Sequence, residues 1–190
     1  MDLRTVKTLR SINNAFLQLR SKKPLSKITI RELTEIAEIS KPTFYLHYAD
    51  IYDLSDKLEN DFIKELIYAC PINKEAFISS DSKWLSNLYD SFVSQGQLLN
   101  ILFSYDRSYL FITKLNIFFK EYVYEMFPEY KDNVKMNLYL DYTIHGVFNA
   151  YRNNINLPQE NVKELLITYT SKFFNSIYDI LTTWYNGGYG

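Results

Sequence analysis

The chain has 190 residues, long enough to bury a sizeable core in one large or two small domains. Two histidines, one cysteine and five glycines exclude an internal disulfide and a Cys/His zinc site, and disfavour phosphate-cradling glycine loops and turn-rich all-β folds. The net charge of −1 hides an asymmetry: residues 1–48 hold nine Lys and Arg against four acids, the remainder twelve against eighteen. A basic end on an acidic body is the pattern of a protein that offers one end to a polyanion.

Helical periodicity then dominates. In residues 3–20, Leu3, Val6, Leu9, Ile12, Phe16 and Leu19 recur at three- and four-residue steps, with basic residues between them, and Pro24 closes the run. Thr29 and Glu32 have the spacing of a capping box, which predicts a short second helix with Ile30, Leu33, Ile36 and Ala37 on its inner face. Ser40 is an N-cap for a third helix, with Pro42 in a first turn that needs no N–H there, and Asp50 caps a long fourth. Only a tight turn fits between the second and third helices, so the pair reads as a helix-turn-helix braced by the first helix. Beyond Pro71, residues 82–95, 98–104, 108–127, 134–153 and 159–185 read as helices, with no alternating-strand segment and no repeat. The expected fold is all-α, with about nine helices: a three-helix head over residues 1–48 and a helical body over 49–190.

The segment from Lys27 to Leu54 resembles the DNA-binding domain of TetR/AcrR-type bacterial transcriptional regulators over about fifty residues. The resemblance rests on the capped second helix, Ser40, the run Thr43, Phe44, Tyr45, His47 and Tyr48, and the acidic cap Asp50. It implies a homodimer on a palindromic double-stranded operator, with half-sites about 34–36 Å apart. It also implies a helical ligand-binding body that dimerises through the last two helices. Those helices, 134–153 and 159–185, carry Val147, Ile167, Phe173, Phe174, Ile177 and Leu181 as apolar candidates.

Along the third helix Phe44 and Tyr48 share one face and are assigned to the core. Lys41, Pro42, Thr43, Leu46 and His47 fall on the other sides, where Lys41 can bond guanine O6/N7 or a phosphate and Thr43 a thymine methyl or a phosphate. Tyr45 and His47 match positions that touch the DNA backbone in the family. Ser40 precedes this helix and joins the expected DNA-facing set. Thr29 and Arg31 begin the second helix, where dipole and free N–H groups favour phosphate; Arg4 and Lys7 can reach flanking backbone. Four residues depart from the family pattern: Thr34 for a small residue, Glu38 for a turn Gly, Pro42 for a Gly, and Ile51 for a phosphate-pairing Lys. Together they point to an unusual operator preference or weaker DNA affinity.

Of 32 aromatics, 28 lie after residue 48. Most are core, yet the excess of Tyr over Phe suits a pocket with apolar walls and a few polar points for a small amphipathic or aromatic ligand. The expected wall is Tyr89, Phe92, Phe103, Tyr105, Tyr109, Phe118, Tyr122, Tyr142 and Phe148, with Asp106 and His145 as polar points. His145 beside Gly146 is read either as a close helix approach or as a core histidine. No nucleophile–base constellation is present, and Cys70 has no basic neighbour in sequence, so neither enzymatic activity, a metal nor a cofactor is expected. The N-terminus lacks a signal-peptide apolar region and no apolar run approaches the ~20 residues of a membrane span, so the expected location is cytoplasmic, away from membranes. A regulator of the same fold governed by a protein partner, without a small ligand, is the alternative.

Overall fold

The computed structural model describes residues 2–71, 75, 77, 79 and 81–185, without the side chains of 106, 174 and 176–185. Regular structure among the described residues is entirely helical. Nine α-helices follow in order: α1 (Leu3–Arg20), α2 (Ile30–Ile36), α3 (Lys41–Tyr45), α4 (Ile51–Tyr68), α5 (Ser82–Ser94), α6 (Gly96–Leu102), α7 (Ser108–Met126), α8 (Val134–Asn153) and α9 (Gln159–Tyr185). None is long and apolar enough to cross a membrane, among the described residues.

The chain divides into two compact units. Met1–Phe62 with Gln95–Phe111 forms the first, and Ile63–Ser94 with Ile112–Gly190 the second. Residues 1–48 lie wholly within the first unit, beside the opening of α4, α6 and the 3₁₀ turn Tyr105–Arg107.

Local hydrogen bonds explain the helix starts of the first unit. Thr29 Oγ1 accepts from Glu32 N at 3.3 Å while Thr29 N donates to Glu32 Oε2 at 3.3 Å, a complete capping box. Ser40 Oγ accepts from Thr43 N at 3.2 Å, and Asp50 Oδ1 accepts from Tyr52 N and Asp53 N, both at 2.8 Å. Helix α2 ends in a Schellman turn: Ile39 N donates to Thr34 O at 3.1 Å, and Glu38 takes φ 55° in the left-handed region.

One inward assignment on α2 is corrected. Leu33, Thr34 and Ala37 are buried, whereas Ile36 is 41% exposed. The buried face centres on Leu33, Thr34 and Ala37, which leaves Ile36 roughly 100° round the helix. Thr34 tolerates burial because its hydroxyl donates to Arg31 O at 3.0 Å. Helix α6 also starts and stops two residues before its expected span, since Ser104 is extended and the chain re-forms at Tyr105.

Candidate nucleic-acid interface and ligand cavity

In the first unit α3 is anchored by aromatics. Phe44 is fully buried and Tyr48 nearly so, with ring centroids 5.7 Å apart. The Tyr48 hydroxyl reaches Asn13 Oδ1 on α1 at 3.5 Å. Burying that i, i+4 pair turns the rest of the helix outward: Lys41, Pro42, Tyr45 and Leu46 are exposed, Leu46 at 81%. Thr43 and His47 are half-buried, and Thr43 Oγ1 lies 2.8 Å from Ser40 Oγ. The helical hydrogen bonds continue past Tyr45 into a turn, with Leu46 N on Pro42 O and Tyr48 N on Phe44 O, both at 3.1 Å.

The basic residues sort into two groups. Arg31 pairs with Glu35 at 2.9 Å and Lys23 with Glu32 at 2.8 Å; both are surface pairs of small net strength that a phosphate could displace. Thr29 Oγ1 also contacts the Glu32 carboxylate, at 3.0 Å. Arg4, Lys7 and Lys41 form no ion pair among the described residues. Arg20 is fully buried, so it adds nothing to the surface charge. Its guanidinium donates to Ser104 O at 2.8 Å and lies 5.3 Å from the Tyr105 ring centroid. Ile51 is buried too.

The second unit holds a cavity of about 180 Å³. Helix α5 supplies Trp84, Leu85, Leu88, Tyr89 and Phe92, and α8 supplies Tyr139, Leu140, Thr143, Ile144, Val147, Phe148 and Tyr151. Leu85, Leu88 and Phe92 recur at i, i+3 and i+7, so one continuous face of α5 forms the wall. Phe92 stands edge-on to Phe148 and to Tyr151, at 6.2 and 5.0 Å between centroids. Tyr89 OH donates to Gln159 Oε1 at 2.8 Å, and Trp84 Nε1 donates to Cys70 O at 3.0 Å. Near Tyr89, Lys163 on α9 pairs with Asp90 at 2.7 Å. Among the described residues no charged side chain lines the cavity. Burial raises the hydroxyl pKa of Tyr89, Tyr139 and Tyr151.

Of the wall expected from sequence, Tyr89, Phe92 and Phe148 line this cavity. Phe103 packs in the first unit between Phe62 and Phe111, at 6.4 and 5.0 Å. Tyr105, in the same unit, is exposed with φ 56°, and Tyr109 is exposed. In the second unit Phe118 lies under Lys64 Nζ at 4.9 Å, and Tyr122 stands edge-on to Tyr68 at 5.1 Å. The neighbour Phe119 lines the cavity instead of Phe118. Tyr142 is 68% exposed and tilts against Phe173. The Asp106 side chain lies outside the described residues. His145 is half-buried with Nδ1 2.9 Å from Asp141 O in its own helix, and a Cβ at Gly146 would meet nothing within 4 Å, so among the described residues no helix closely approaches there.

Val147 and Ile167, expected at the dimer surface, line the cavity instead. Exposed apolar positions on the last two helices include Val134, Leu138 and Tyr142 on α8 and Leu165 and Tyr169 on α9. Phe174, Ile177 and Leu181 have side chains outside the described residues. Trp84, Leu88, Tyr139 and Thr143 were not singled out from sequence, because a cavity wall and a filled core share the same periodicity.

No protein-family model matches the sequence, and no curated protein matches it. Among solved structures the chain is similar to the dihydroxyacetone kinase operon activator DhaS, with a TM-score of 0.55 at 15% sequence identity. The match covers 91% of this chain and 97% of that one. At that identity the likeness is one of fold.

Proposed function

We propose that the chain is a homodimeric, sequence-specific DNA-binding regulator of transcription. In this reading it is a repressor released from its operator when a small molecule enters the second-unit cavity. The observation that carries it is the division of α3: Phe44 and Tyr48 are buried while Lys41, Pro42, Tyr45 and Leu46 face solvent from a capped helix-turn-helix. A recognition helix needs an apolar root and an outward set of side chains that can enter the major groove.

In this reading residues 1–48 are the DNA-binding domain and 49–190 the ligand-binding and dimerisation domain. Lys41 reads a guanine edge or holds a phosphate, and Leu46 offers an apolar contact to a thymine methyl. Tyr45, His47, Thr43 and Arg31 position the phosphates, while Pro42 stiffens the first turn of α3. Ser40 and Thr29 act mainly as caps that fix helix direction. Ligand occupancy would be felt at the DNA through α4, whose tilt sets the separation of the two heads.

A second reading, activation in place of release, is favoured by the likeness in fold to DhaS, an operon activator.

Gel retardation with DNA flanking the gene, at two salt concentrations, tests the proposal. Specific retardation that weakens as salt rises is expected. Absence of specific retardation at low salt overturns it and promotes control through a protein partner.

A further inference from the structure

Resting on the reading of the second-unit cavity as the effector site, we infer that it takes an uncharged, apolar molecule of about one ring, with a hydrogen-bonding group that can meet Thr143. The cavity measures about 180 Å³ and is walled by Leu, Ile, Val and aromatic side chains with Thr143 and Thr170, and no charged side chain lines it among the described residues. An apolar engineered cavity of about 150 Å³ stays dry and accepts benzene, which sets the scale of the occupant.

Two polar groups on the wall are already bonded to protein. Tyr89 OH is bonded to Gln159 and Trp84 Nε1 to Cys70 O. A further polar point on α8 is Thr143, one turn from Tyr139. Thr143 Oγ1 is buried and makes no hydrogen bond of good geometry, although it lies near enough to the Tyr139 hydroxyl to favour its ionisation slightly against the effect of burial. A ligand hydroxyl or carbonyl placed there gains a partner.

Other chemistries fit poorly. A carboxylate or phosphate would lose its hydration with no cation on the wall to replace it. A polyol would bring several hydroxyls to a wall made almost wholly of carbon. The site therefore selects against sugars and small hydroxyketones as well as against anions.

Thermal unfolding of the intact protein with toluene, p-cresol, benzoate and glycerol as probes tests the inference. Toluene and p-cresol should raise Tm saturably and compete with each other, while benzoate and glycerol should not. Thr143→Val should leave toluene binding unchanged and weaken p-cresol roughly five- to tenfold. Leu88→Trp should block both, with unchanged helical circular dichroism; where that variant fails to fold, the Thr143→Val contrast decides. Saturable binding of benzoate or glycerol overturns the inference, and so does the failure of every probe to bind. If neutral rings bind but leave operator retardation unchanged, the ligand class stands and the effector role falls.

Discussion

Arg107 Nε donates to Glu59 Oε1 at 2.6 Å, and a second nitrogen of the same guanidinium donates to Glu59 Oε2 at 2.8 Å, onto a carboxylate with no solvent exposure. Ser55 Oγ adds a third hydrogen bond at 2.8 Å, and Asp56 accepts from Arg107 at 3.0 Å. Burial alone would lower the Arg107 pKa, but the hydrogen bonds and charge of Glu59 outweigh it and raise the value. This bidentate clamp fastens the 3₁₀ turn to α4 within the first unit. Arg107→Ala strands a buried carboxylate and should cost about 3–5 kcal/mol in urea unfolding. Replacing both members together, as Arg107→Met with Glu59→Leu, should cost far less. Equal losses for the single and double variants would show that packing, not charge, is the clamp's contribution.

Glu38 is the left-handed residue of the Schellman turn between α2 and α3, at φ 55°. A side chain there strains the backbone by roughly 1 kcal/mol, which glycine avoids. Glu38→Gly should therefore raise Tm, and Glu38→Ala should not, since alanine keeps the Cβ. A melting series of the three proteins checks this. No gain for glycine would mean that the Glu38 side chain makes a compensating contact.

Ile51 replaces the phosphate-pairing lysine of the resembled family, and it is a core residue of the first unit, 5% exposed. Introducing a lysine does not simply restore an anchor, because its ammonium must be buried or drawn out along the helix surface. Ile51→Lys should lower Tm, at a cost of about 1–3 kcal/mol, with less than a twofold gain in operator affinity. A tenfold gain at unchanged Tm would show that position 51 can reach the phosphate after all.

What the sequence could and could not reveal follows from the range of the interactions involved. The caps at Thr29, Ser40 and Asp50 close within three residues, and Phe44 and Tyr48 lie one turn apart, so local pattern was enough to place them. Arg20 was counted with the surface charges because its partner carbonyl, Ser104, is 84 residues away along the chain. Val147 and Ile167 are periodic apolar residues, and periodicity cannot say whether they face a cavity or a partner. Phe119 rather than Phe118 lines the cavity because a single residue step rotates a side chain by roughly 100°. Caps were legible, whereas which apolar face meets which neighbour was not.

Tyr139 fixes the expected response to alkali. Burial holds its hydroxyl pKa well above the ordinary tyrosine value of 10.0. Between those two values the folded state keeps a proton that the unfolded state has lost. Stability from this group is thus complete below about pH 10 and falls as pH rises, by about 1.4 kcal/mol per pH unit. Tyr139→Phe should flatten that part of the stability profile while leaving the neutral-pH helical spectrum unchanged. Denaturant titrations between pH 9 and 11 measure it, and parallel profiles for the two proteins would contradict the assignment.

The outward faces of α8 and α9 carry Leu138 and Tyr142, and Leu165 and Tyr169, each pair one turn apart and each residue at least half exposed. Apolar stripes of this kind are rarely left to water unless a partner covers them, and a two-fold mate is the partner that the proposed palindromic operator would demand. Leu138→Arg with Leu165→Arg places like charges on that face without touching the cavity wall. Sedimentation at micromolar protein should then give the monomer mass, with helical content retained and operator retardation lost. Lys41→Ala provides the converse, weakening retardation while leaving the dimer mass unchanged. If the double arginine variant keeps the dimer mass, the two-fold contact lies on another surface, and the exposed stripes need a different explanation.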